Sequence, residues 1–165
     1  MTDNPRPPIE NRLRPLGPVV PAGLDEPMIS VVVANFYARV RRDALIGPIF
    51  NRVIAEHEWP AHLAKIEAFW SSMLLASGRY DGRPMPKHMA LPELADVHFA
   101  RWLALFRQTV EALCPPEVAA VFIERAERVA NSFRFNIFAR RGEDIVHLKP
   151  IRAEAMPESS IDSEG

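Results

Sequence analysis

The chain has 165 residues, 48% of them apolar and 25% charged, with a formal net charge of −1. That balance fits a globular domain long enough to bury a core, and it excludes a dedicated nucleic-acid binder, which needs a basic excess or a Lys/Arg run. The abnormal feature is 16 prolines, about twice the ~5% usage of an average protein.

The prolines are uneven. Seven lie in residues 1–27 and two in 147–165, leaving seven for the 119 residues between. The first segment is poor in aromatic residues, and the last is acidic and short of large apolar ones. Both read as disordered tails, 1–25 Pro-rich and 147–165 acidic, unable to bury enough surface to offset the entropy of ordering. The domain is expected at 26–146. The start, Met1-Thr2-Asp3-Asn4-Pro5, has no apolar core of a secretory signal, and no run of ~18 apolar residues suggests a membrane span. Cytoplasmic location follows as an expectation, with neither membrane nor nucleic acid as a partner. The single cysteine, Cys114, excludes an internal disulfide and reads as a small hydrophobe at a helix end.

In chain order, the first helix begins near Pro27. Ile29, Val32, Val33, Phe36, Tyr37 and Val40 make a stripe at helical spacing, with Asp25 and Glu26 at its start and Arg39, Arg41 and Arg42 near its end. Gly47-Pro48 reads as a break, with Pro48 ending a turn and Ile49-Phe50 as a short apolar anchor. A second helix spans about Glu58 to Ala76, with Pro60 in its first turn, Gly78 closing it, and His62, Ile66, Phe69, Trp70 and Met73 on one face. Residues Gly78 to Pro92 hold two glycines and three prolines and are expected as a loop with at most one short turn. A third helix, about Asp96 to Leu113, carries Phe99, Trp102, Leu103, Phe106, Val110 and Leu113. A fourth, about Glu117 to Ala139, carries Val118, Val121, Phe122, Val129, Phe133 and Ile137. No useful period-2 segment appears, so the fold is expected to be all-α with four main helices.

The long loop is the anomaly, because helices in a compact domain are usually joined by 2–8 residues. His88 sits within it, in Arg83-Pro84-Met85-Pro86-Lys87-His88-Met89-Ala90-Leu91, where prolines stiffen the approach and Met89 and Leu91 are apolar neighbours. A neutral imidazole in an apolar wall suits an axial ligand of haem iron, although by position alone an exposed loop histidine is the commoner case. Tyr37, His62 and Trp102 lie on the apolar faces of three different helices, and each ends in a polar atom able to donate. Singly, each fits a core or boundary residue. Together, three donors facing one interior call for a buried acceptor, since unpaired polar groups there cost ~1–3 kcal/mol each. A bound diatomic molecule carrying partial negative charge is such an acceptor. His57-Glu58 lacks the second histidine of a zinc-protease motif, and no Cys-x-x-Cys, dinucleotide or P-loop pattern is present.

These residues carry a resemblance. Phe36-Tyr37, Arg39 to Asp43, Ile46-Gly47-Pro48-Ile49-Phe50-Asn51, Glu58-Trp59, His62, Lys65-Ile66 and Phe69-Trp70 match the group III truncated haemoglobins. So do Met73-Leu74-Leu75, Gly78, Tyr80, Gly82-Arg83-Pro84, Lys87-His88, His98-Phe99, Arg101-Trp102-Leu103 and Leu105-Phe106. The resemblance runs from about Ile29 to Phe133. It implies a shortened globin, a two-over-two helical sandwich around haem b, with the proximal helix largely replaced by loop. It further implies His88 as the proximal metal ligand and Tyr37, His62 and Trp102 as the distal hydrogen-bonding set. Phe50, Ile66, Phe69 and Trp70 would be apolar haem contacts, and Lys65, Arg79 and Lys87 are candidate partners of the propionates.

Three functions are compatible with these residues. The first is a protein that binds dioxygen or another diatomic ligand at five-coordinate iron. Hydrogen bonds from Tyr37 and Trp102, at roughly 1.5–3 kcal/mol each, would slow ligand release by about two to four decades. The second is a haem enzyme that removes nitric oxide or peroxide with an external reductase, since the chain has no flavin or nicotinamide motif. The third is a haem-free all-α interaction module, which predicts loss of His88 or polar residues breaking the stripes; neither is seen.

Overall fold

A computed structural model describes residues 20–82 and 91–155. Its described residues form five α-helices and no strands: α1 (Glu26–Arg42), α2 (Gly47–Val53), α3 (Trp59–Leu75), α4 (Asp96–Leu113) and α5 (Pro116–Arg140), with a 3-10 turn at Glu56–Glu58. The expected all-α class and the four main helices are present, within a residue or two of their expected ends. His88 and Lys87 lie outside the described residues.

Helix α1 starts where the chemistry of its first turn requires. The Asp25 carboxylate accepts from the Met28 N–H at 2.9 Å, and Pro27 occupies a first-turn position where no N–H is needed. Its buried face is Ile29, Val32, Val33, Phe36, Tyr37 and Val40, the expected stripe. Helix α1 packs on both α3 and α4, and α4 packs along α5. Between these helices lies an aromatic core. Trp70 stacks on Phe106 with centroids 5.1 Å apart, Phe36 meets Phe106 edge-on at 5.0 Å, and Phe122 closes the group at 6.2 Å from Phe106. Burying each such ring contributes about 1.5–3 kcal/mol.

Three local features differ from expectation. Gly47-Pro48 opens the short helix α2 instead of ending a turn. Proline is favoured at a helix start, and a Cβ on Gly47 would lie 2.8 Å from the Arg41 carbonyl oxygen and 2.9 Å from that of Val40. Only glycine lets α2 begin that close to the last turn of α1. At the end of α3 the left-handed residue is Ala76, at φ 53°, two positions before the expected Gly78, which is itself at φ 69°. Finally, the expected domain edge at residue 146 falls short of the packed chain. Residues 147–155, expected as part of a disordered tail, run along α4 and α5 with Ala153 buried. Asn131 accepts from the Ile151 N–H at 2.9 Å and donates to the Ile151 carbonyl at 2.9 Å. Arg107 donates to the Ala153 carbonyl at 2.9 Å, and Glu127 accepts from the Ala153 N–H at 2.8 Å. Backbone hydrogen bonding holds this segment together with the packing of Leu148 and Ile151 against the core.

Candidate functional site

Tyr37 projects from the buried face of α1 and is 7% exposed. Burial drives its hydroxyl well above the ordinary ionisation range, and a hydrogen bond from the Trp102 side chain offsets this only in part. Indole nitrogen is a donor only, so Trp102 gives its N–H to the Tyr37 oxygen. The phenol is therefore neutral at any physiological pH, and its own proton remains available to a third group.

Four further rings stand around Tyr37. Phe50 from α2 lies edge-on at 5.9 Å, His62 from α3 at 6.4 Å and Trp59 at 6.1 Å; Trp59 and His62 meet at 5.6 Å. Phe36 contacts both Tyr37, at 4.9 Å, and Trp102, at 5.3 Å. Tyr37, His62, Trp102 and Phe50 thus lie in one neighbourhood, on α1, α3, α4 and α2. Trp59 is the member that pattern reading missed. Its spacing of three residues from His62 places both on one side of α3, and that was the available signal.

The apolar contacts divide. Phe50, Ile66 and Phe69, with Leu63 and Met73, are only half-buried while packing against the core, so each keeps an uncovered flank. Phe69 also meets Tyr80 edge-on at 5.4 Å. Trp70 is different: it is fully enclosed between Phe106 and Phe122, inside the helix core. Among the cationic candidates, Lys65 is exposed on α3, and the Arg79 guanidinium pairs with Glu26 at 2.5 Å.

The chemistry of this donor set fits a flat apolar group carrying a small polar ligand. Half-buried apolar side chains offer a face to the first, and buried donors serve the second. Most telling is Trp59: its indole nitrogen is buried and has no hydrogen-bond partner among the described residues. A buried N–H left so costs ~1–3 kcal/mol, which a polar guest nearby would recover.

Asp43 and Arg101 brace the site from outside. The Arg101 guanidinium reaches Asp43 at 2.7 Å from Nε and 2.6 Å from Nη2, joining the end of α1 to α4 just before Trp102. Burial pushes the Asp43 carboxyl up, but Arg101 and the N–H groups of Ile46 and Leu45 outweigh it and hold it below the usual range. His98, inside the matched His-Phe-x-x-Trp-Leu stretch, caps α4 by accepting from the Ala95 N–H at 3.0 Å.

Compared with known proteins, the chain is 36% identical over 121 residues to the group 3 truncated hemoglobin ctb of Campylobacter jejuni, covering 72% of this chain and 95% of that one. The chain belongs to the group III truncated haemoglobins. Its fold is similar to the crystal structure of a group III truncated hemoglobin from the same organism, with a TM-score of 0.67 at 35% identity over 72% of this chain and 95% of the other. No family model matches the sequence. Membership accounts for the shortened globin fold and for the long connection between α3 and α4. No helix among the described residues is long and apolar enough to cross a membrane.

Proposed function

We propose that this truncated haemoglobin binds haem b through His88 and uses Tyr37 as the principal hydrogen-bond donor to a diatomic ligand, dioxygen first. When bound, the haem supplies the iron position at which such a ligand is taken up. The observation that carries the reading is the buried Tyr37 phenol ringed by Phe50, His62 and Phe36, with Phe36 also in contact with Trp102. By donating to the phenol oxygen, Trp102 orients Tyr37 and leaves the phenol proton for the ligand. The indole then acts through Tyr37 instead of adding a second, independent bond. His62, edge-on to both Tyr37 and Trp59, lines the same wall. Phe50, Ile66 and Phe69 offer the apolar face for the ring.

Tyr37→Phe in the haem-loaded protein tests this. Loss of one charge-assisted bond of about 1.5–3 kcal/mol speeds dioxygen release by roughly tenfold to a hundredfold. An unchanged release rate overturns the assignment of Tyr37. Failure of the purified protein to develop a Soret band on haem addition overturns the cofactor assignment and leaves the haem-free interaction module.

A second reading, a haem enzyme consuming nitric oxide or peroxide with electrons from a separate reductase, is favoured by the same geometry. A ligand held by a fully buried donor is retained long enough to react, and is poorly suited to delivery. Stopped-flow mixing of the oxygenated protein with nitric oxide separates the two: rapid oxidation supports the enzyme, slow oxidation the carrier.

A further inference from the structure

We propose that Trp59 is a positioning residue of the distal wall, and that Arg41, outside that wall, locks it in place; this rests on the reading of Tyr37 as ligand donor. Trp59 is 3% exposed and touches Tyr37 on one side and His62 on another. Its indole thus contacts two of the three side chains of the distal set. The Arg41 guanidinium lies 4.6 Å from the Trp59 ring centroid, in cation–π range. The same guanidinium donates from Nε to Asn51 Oδ1 at 3.3 Å and pairs with Glu56. Asn51 returns a bond to the Arg41 carbonyl at 3.0 Å. One side chain at the end of α1 therefore ties together α2, the 3-10 turn and the first residue of α3, where the ring that backs Tyr37 is mounted.

Two alternatives for Arg41 are weaker. As a surface ion pair alone it would have no reason to sit over an indole, and the pair itself contributes little, since the Glu56 side chain is 84% exposed. As a mere cover for Trp59 it would not need the fixed orientation that its two polar contacts, to Asn51 and Glu56, impose. A guanidinium held this way resists rotation of the indole, and the indole in turn resists displacement of the Tyr37 ring toward α3.

The test uses haem-loaded full-length protein and two readouts: the dioxygen release rate, and the C–O stretching frequency of the ferrous carbon monoxide complex, which reports hydrogen bonding at the ligand. Arg41→Ala and Trp59→Phe are each made alone and on a Tyr37→Phe background. The expected result is that Arg41→Ala speeds release about two- to fivefold and raises or splits the C–O band when Tyr37 is present. On the Tyr37→Phe background it does neither. Arg41→Lys, which keeps a cation over the ring, restores part of the effect. Trp59→Phe follows the same pattern with a larger change. Equal effects with and without Tyr37 mean that Arg41 supports the fold in general, and overturn the inference. So does a silent Arg41→Ala where Tyr37→Phe is responsive, which leaves the Tyr37 reading intact. If Tyr37→Phe alone changes neither readout, the Tyr37 reading fails and this inference falls with it.

Discussion

One junction sensitive to a single substitution is the Arg134–Asp96 pair between α5 and the start of α4. The Arg134 side chain is 4% exposed and Asp96 is 55% exposed. Arg134 donates to Asp96 at 2.5 Å from Nε and 3.0 Å from Nη2, and from Nη1 to Asn131 at 3.2 Å and to the Lys149 carbonyl at 2.9 Å. The two partners differ in what their removal leaves behind. Asp96→Ala strands a buried guanidinium with only neutral acceptors, and breaking a buried pair in this direction costs about 3–5 kcal/mol. Because water reaches the exposed carboxylate flank, the lower end, about 3 kcal/mol, applies. For a chain of this size that lowers Tm by roughly 6–12 °C, at 2–4 °C per kcal/mol. Arg134→Met combined with Asp96→Ala removes the charge along with its partner, fills the space with an apolar side chain and frees an aspartate position that was already half in water. The double variant is therefore expected to be more stable than Asp96→Ala alone. Urea unfolding of haem-loaded wild type, the single variants and the double variant measures this. A double variant less stable than Asp96→Ala, or an Asp96→Ala cost under about 1 kcal/mol, would refute the reasoning that the stranded charge dominates.

Two further predictions concern the braces of the site. Gly47→Ala places a methyl 2.8 and 2.9 Å from two backbone carbonyl oxygens of α1, so α2 must move away; it is expected to cost about 1–3 kcal/mol by thermal melt, and an unchanged Tm contradicts the close approach. Asp43 has its carboxyl held below the usual value of 3.8, so it contributes stability that is complete above the unfolded-state value and lost as pH falls through the lower folded one. Asp43→Asn removes that contribution, and its unfolding free energy should fall less steeply than wild type between about pH 5 and pH 2; parallel slopes would mean that the Arg101 contact does not stabilise the folded state.

How far the sequence revealed this molecule depends on which force holds each part. The stripes of α1, α3, α4 and α5 were legible because apolar burial imposes a helical period, and Tyr37, His62 and Trp102 lie on those stripes. Helix α2 was hidden because Gly47-Pro48 is equally a breaker and a helix opening; the carbonyls of Val40 and Arg41 that decide between them lie outside the local pattern. The 147–155 segment was missed for another reason. Asn131, Arg107 and Glu127 hold its backbone by hydrogen bonds, which leave no trace in its composition, and its few apolar contacts, Leu148, Ile151 and Ala153, are too sparse to show a period. Trp70 shares a helix face with Ile66 and Phe69 in the sequence, yet it points into the Phe106–Phe122 core, because a stripe more than one residue wide faces two neighbours at once. The Trp102-to-Tyr37 bond joins helices whose residues are far apart in the chain, and spacing cannot report the direction of a proton. Sequence thus singled out Tyr37, His62 and Trp102 but not how they are ordered. In the proposed distal wall that order matters chemically: two parallel donors to a ligand would each contribute separately, whereas a donor acting through Tyr37 would lose its contribution when the phenol is removed.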